Sequence, residues 1–311
     1  MSDRHILILT NCTNRKRAVA PRGMLARSLC RGGYEALSSD WADRVTDAAK
    51  ICAAEQLYCG RAVTETLQAA GALNAEVAFL SAGLGVVPRH ASVPAYSLTS
   101  SPGMPDSIGA RLTEAYTPQR WWKALLKARR QGRALAHLID DLAPSLILVV
   151  LPASYLQMVH EDLETLPTSV QRRFRILGPR KATDVPTALS RYWLPYDARL
   201  DNAQSGFNGT TGDFPHRALR HFSTCIAPAR RSSSFDQHRQ AVELFLKRFT
   251  PYVRQQGVPA SDDEVLKEIR QLWNICGGNR SRMLRELRTN RGIACEQSRF
   301  RGLIDRFEEM A

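Results

Sequence analysis

Four short apolar runs punctuate the first 180 residues. They are His5–Thr10, Glu76–Ser81, Ser145–Leu151 and Arg173–Leu177, each of strand length. Between them apolar residues recur at helical spacing over Asp40–Tyr58, Arg61–Ala70, Gln119–Leu142 and Val159–Arg172, with the third opened by Thr117-Pro118 and closed before Pro144. Strands alternating with helices predict an α/β domain with a mostly parallel sheet and helices on both faces. From Pro179 to Ala229 the pattern breaks into Gly, Pro, Asn, Asp and aromatics, which predicts ordered functional loops. The small polar stretch Pro228–Ser234 predicts a linker, hence domains at 1–229 and 235–311. Helical periodicity returns over Phe235–Tyr252, Ser261–Cys276, Asn279–Arg288 and Glu296–Met310. A capping box opens the second and Gly277-Gly278-Asn279 turns into the third, so this all-α end is expected to be helix-turn-helix-like.

Charge narrows the partners. The chain of 311 residues carries a formal +13, mostly on arginine, which suits bidentate phosphate contacts. Double-stranded DNA is the expected partner, since no run approaches the ~18 apolar residues of a membrane span. Met1 to His5 leads straight into a strand without the layout of a signal peptide, so the expected location is the cytoplasm. Seven cysteines, odd in number and without a Cys-x-x-Cys pair, argue against a disulfide framework and a zinc site. No metal and no cofactor are expected.

Candidate chemistry gathers after the strands, because ligands in open α/β sheets bind beyond the carboxyl ends of the strands. After the first comes Thr10-Asn11-Cys12-Thr13-Asn14-Arg15-Lys16-Arg17, and after the second Ser81-Ala82-Gly83-Leu84-Gly85. Pro152-Ala153-Ser154-Tyr155 and Gly178-Pro179-Arg180-Lys181 follow the third and fourth. Each is also consistent with a solvated turn; four on one edge suggest a site. The loop Pro94–Asp106, with Tyr96, suits either a pocket wall or a surface loop. Towards the C-terminus, Arg270–Arg301 holds eight arginines against Glu286 and Glu296 alone. Arg282, Arg285 and Arg288 share one helix face with Arg280 just before them, while Met283, Leu284 and Leu287 face inward. That face suits a DNA backbone.

Together, the Ile6–Arg17 run, Leu80–Val87 and the Pro94–Thr99 stretch resemble a family of domains found in bacterial defence loci. That family is distantly similar to YaaA-type DNA-binding proteins and to base-exchanging or base-removing enzymes of modified DNA and tRNA. The nearest resemblance within it is to phage-defence DNA glycosylases that excise α-glucosyl-hydroxymethylcytosine, and it covers roughly the first half of the chain. It implies base flipping, N-glycosidic cleavage and antiviral defence. The Gly-x-Asp-Pro-Tyr motif of uracil-DNA glycosylases is absent, so a different constellation would serve. Glycosylase chemistry requires a group that positions water and donors for the departing base. Asn11, Asp106 and Asp213 are the catalytic candidates, with Asp197 and Asp201 as further loop carboxylates. Cys12, Thr13, Ser81, Gly83, Tyr96, Ser154 and Tyr155 are the base-pocket candidates. Arg15, Lys16, Arg17, Arg180, Lys181, Arg280, Arg282, Arg285 and Arg288 are the candidates for holding DNA. A non-catalytic DNA-binding regulator and a nucleoside or nucleotide transferase remain open alternatives.

Overall fold

The computed structural model describes residues 5–230, 232–251 and 257–310. Its larger unit, Met1–Tyr252, is built on a five-stranded sheet. The strands are β1 (Ile6–Asn11), β2 (Ala75–Ser81), β3 (Gly85–Pro88), β4 (Leu146–Val150) and β5 (Phe174–Ile176). Their order is β3-β2-β1-β4-β5, parallel throughout except for the β2–β3 hairpin. Ile6 to Leu9 and Ile147 to Val150 are wholly buried. Because successive strand side chains point to opposite faces, such runs require cover on both sides.

The cover comes from α1 (Tyr34–Asp47), α2 (Arg61–Leu73), α3 (Pro118–Ala128), α4 (Ala134–Leu142), α5 (Ala153–Glu164), α6 (Phe214–His221) and α7 (Phe235–Leu246). Helices α1, α3 and α5 pack in one group, and α2 packs with α6 in another.

Several expected bounds move. The helix expected over Asp40–Tyr58 is α1, starting at Tyr34 and ending at Asp47; Cys52–Ala53 instead pairs with Ser92–Val93. The long helix expected over Gln119–Leu142 is two, α3 and α4, broken where Arg130 takes a positive φ of 54°. There the Gln131 side chain turns back to accept from the Val86 amide at 3.1 Å, tying the break to β3. Proline separates α5 from the single turn Thr168–Gln171, splitting the helix expected over Val159–Arg172.

The loops expected to be ordered after Pro179 pack into the core at several points. Tyr192, Leu194 and Tyr196 are core residues. Helix α6 continues through a π-helical stretch, Phe222–Ile226, into Ala227–Arg230. The expected linker Pro228–Ser234 leads into α7, which belongs to the first unit; Arg231 lies outside the described residues. Arg175 at β5 donates to His238 Nδ1 at 2.8 Å and to the Ser233 carbonyl at 3.2 Å, while Val242 and Leu246 fill the same core. The compact units therefore divide after Tyr252, not in the 230–234 region. Tyr252, the expected end of the Phe235 helix, and Met1 to Arg4 lie outside the described residues.

The second unit, Val253–Ala311, holds α8 (Asp262–Cys276), α9 (Arg280–Thr289) and α10 (Gln297–Met310). Ser261 and Glu264 form the capping box of α8. Val265, Ile269, Met283, Leu287, Phe300 and Ile304 make a core of its own. Among the described residues no helix is long and apolar enough to cross a membrane.

Candidate functional site

The strand order reverses direction at β1, with β2 on one side and β4 on the other, so the crevice beyond the β1 and β4 carboxyl ends is where an open sheet accommodates a ligand. Residues from distant parts of the chain meet there. Cys12 Sγ, just past β1, lies 3.3 Å from Tyr155 Oη at the start of α5. Thr10 Oγ1 and His216 Nε2 form a hydrogen bond at 3.0 Å. Asn11 donates from Nδ2 to the Cys12 carbonyl at 2.8 Å, while its Oδ1 is buried and accepts nothing among the described residues.

Next to this pair stands a chain of hydroxyls. Ser81 Oγ is 2.6 Å from Tyr96 Oη, which is 2.9 Å from Tyr58 Oη. Burial pushes the phenols of Tyr58, Tyr96 and Tyr155 up, so they remain neutral and act through hydrogen bonds and ring faces.

Lys16 departs from its expected role. It turns inward, its Nζ 4.2 Å from the centre of the Tyr96 ring, and donates to the Thr13 carbonyl at 3.1 Å. Burial lowers its pKa; Cys12 and Asp106 oppose that shift more weakly. Arg15 and Arg17 remain exposed, so the basic tripeptide divides into one inward amine and two outward guanidiniums. Thr13 Oγ1 donates to the Arg15 and Cys59 carbonyls and closes the loop.

The glycine loop after β2 does not offer its backbone to a ligand. A Cβ on Gly83 would stand 2.5 Å from Tyr96 Cε2, so glycine is required by the aromatic ring above it. The Gly83 and Leu84 amides donate to Ser81 Oγ, and the Trp121 and Trp41 indoles donate to the Ala82 and Gly83 carbonyls. Ser154 and Lys181 are exposed and do not join the cluster.

Both catalytic carboxylate candidates hold loops in place. Asp106 accepts from the Arg27 amide at 3.1 Å and from Ser97 Oγ at 2.7 Å. Asp213 pairs with Arg217 at 2.7 Å and with Arg61 at 3.3 Å. Arg217, 0% exposed, also pairs with Asp201 at 2.8 Å and donates to the Phe207 and Thr210 carbonyls. Arg180 completes the network through Asp201 at 2.6 Å. Asp197 accepts from the Arg199 amide and caps the 3-10 turn Ala198–Asp201. This wiring orders the Phe207–Asp213 loop.

His216, Tyr58 and Arg217 were missed in the sequence. Thr10 and His216 are separated by 206 residues, and nothing local marks either as the other's partner.

In the second unit the arginine face is partly neutralised from within. Arg280 pairs with Asp305 and Glu308, Arg291 with Glu268, and Arg299 with Asp262. Arg288 donates to the Cys295 carbonyl at 2.7 Å. Arg282 and Arg285 are exposed and have no partner among the described residues. Net charge follows: Val253–Ala311 has 11 Lys and Arg against 9 Asp and Glu, whereas Met1–Tyr252 has 32 against 21. Most of the positive excess therefore belongs to the α/β unit.

Among the described residues no group of three or more His, Cys, Asp or Glu could hold a metal ion. Comparison with protein-family models, with curated proteins and with solved structures produced no match.

Proposed function

We propose that the protein is a DNA glycosylase that takes an extruded, modified cytosine at the β1–β4 crevice and cleaves its N-glycosidic bond, in a cytoplasm that phage DNA enters. The observation that carries this reading is the buried, unpartnered Asn11 Oδ1 beside the Cys12–Tyr155 contact. A lone acceptor suits the exocyclic amine that cytosine presents, or a water held for attack. The neutral Tyr155 hydroxyl is a hydrogen-bonding group beside the base, and Lys16, held over the Tyr96 ring, supplies positive charge for the departing base. Asp106 and Asp213 act as positioning residues in this scheme. The second unit serves as a helix-turn-helix-like module whose unpaired Arg282 and Arg285 face the phosphate backbone.

The test is incubation with T-even phage DNA and with unmodified DNA, scoring released base and alkali-labile sites. Release is expected from the modified DNA alone. Asn11→Ala should reduce it about a hundredfold with DNA affinity nearly unchanged, as for a group acting mainly in the transition state. No release from any phage DNA overturns the proposal. One observation favours a second reading, a non-catalytic DNA-binding protein: both candidate carboxylates are held in ion pairs. Under that reading Asn11→Ala retains full biological activity while Arg282→Ala with Arg285→Ala abolishes it.

A further inference from the structure

A cavity of about 310 Å³ opens behind the glycine loop, between the C-terminal ends of α1 and α3 and the strand β3. Its size is at the small end of ligand sites, which run from roughly 300 to 1,000 Å³. Arg129, at the end of α3, lines it, and this guanidinium makes no hydrogen bond or ion pair among the described residues; its Nε is buried. A half-buried guanidinium with no acceptor leaves donors unsatisfied, and buried donors in folded proteins nearly always have a partner.

The rest of the lining has the same polarity. Lys50 adds a second cation, with no carboxylate partner among the described residues. Gln131 uses its carbonyl on the Val86 amide and keeps its Nε2 as a donor. None of the lining residues carries a carboxylate. Burial lowers the pKa of Arg129, and the phenols of Tyr96 and Tyr58, which burial keeps neutral, oppose that shift more weakly. Thr46 and Ser92 add hydroxyls to the lining, and Val45, Leu84 and Val93 are buried behind it.

Arg129, Lys50 and the Gln131 amide are donors and Val45, Leu84 and Val93 supply aliphatic carbon, a mixture that calls for a ligand with an acceptor-rich group and an apolar part. We propose that this cavity binds a free nucleoside monophosphate, its phosphate held by Arg129, Lys50 and Gln131 and its ring set against Val45, Leu84 and Val93. The site is separate from the β1–β4 crevice and does not depend on the glycosylase reading. The two share a wall, since the Leu84 amide donates to Ser81 Oγ in the hydroxyl chain.

Calorimetric titration of the full chain with thymidine 5′-monophosphate tests it, with thymidine and inorganic phosphate as comparators. Binding of the monophosphate is expected, and Arg129→Gln should weaken it about tenfold or more, the usual loss for a charge-assisted hydrogen bond. Thymidine and phosphate should each bind at least about tenfold more weakly than the nucleotide that combines them. No binding by the wild type at millimolar nucleotide, or unchanged affinity in folded Arg129→Gln, overturns the proposal. So does inorganic phosphate binding as tightly as the nucleotide. Should Arg129→Gln not fold, Lys50→Ala at its exposed position decides: a loss of about threefold or more supports the site, and unchanged affinity removes it. A 5′-phosphorylated oligothymidine that binds more tightly than the mononucleotide through these residues would replace the free nucleotide with a DNA end.

Discussion

The two units use arginine in opposite ways. In Met1–Tyr252, Arg217 is buried and locked between Asp213 and Asp201, and Arg175 docks α7 onto β5. In Val253–Ala311, arginines stay at the surface, several paired with carboxylates and four, Arg270, Arg282, Arg285 and Arg301, open among the described residues. A buried guanidinium must be fully partnered because desolvation is costly, and removing one partner strands the other's charge. An exposed guanidinium gains little from a partner, so leaving it free costs almost nothing and keeps it available to a phosphate. The same residue type is a structural bolt at Arg217 and a surface offered to a ligand at Arg282 and Arg285.

The largest effect is expected at Arg217. Arg217→Met should destabilise the first unit by about 3–5 kcal/mol, since Asp213 and Asp201 lose their buried partner. Urea unfolding measures it, and a change under about 1 kcal/mol would mean that the network is not structural.

A pH series sharpens the contrast. Burial holds His216 and His221 at a pKa of about 4 against an ordinary 6.5. Both are neutral in the fold, whereas the unfolded chain takes up protons as pH falls below about 6.5, so stability declines from there towards pH 4. At pH 5.5 the pair should cost about 3 kcal/mol relative to pH 7.5. Val253–Ala311 contains no histidine, so its stability should stay level until its carboxylates titrate. Hydrogen exchange resolved by unit separates the two; parallel losses in both units would refute the assignment.

Smaller again is Gly83→Ala, which drives a methyl into Tyr96. It should destabilise the first unit by about 1–3 kcal/mol and disturb the Ser81–Tyr96 hydrogen bond. An unchanged thermal midpoint would show that the ring can move aside.

Least costly to the fold is the open pair on α9. Arg282→Ala with Arg285→Ala should change stability by no more than about 0.5 kcal/mol. The slope of log DNA affinity against log salt should flatten by about two units. Adding Arg288→Ala should flatten it little further, because that side chain is engaged by the Cys295 carbonyl. An unchanged slope in the double variant removes α9 from the interface.

The four buried parallel strands, the α8 capping box and the inward stripe Met283, Leu284 and Leu287 can be read from the residues alone, because periodicity and capping are local. The sequence also brings Asn11 and Cys12 to a sheet edge, since a strand's carboxyl end follows from its direction. What it could not contain was the partner of each group across the fold. Packing across the fold turns Lys16 inward onto Tyr96, sets Asp106 and Asp213 to hold loops, and joins α7 to the first unit. It likewise has Asp305 and Glu308 neutralise Arg280 while Arg282 and Arg285 stay open. The reason is physical: whether a charge is a bolt or a binding surface depends on desolvation and on an acceptor within reach. Both are set by residues up to hundreds of positions away in the chain.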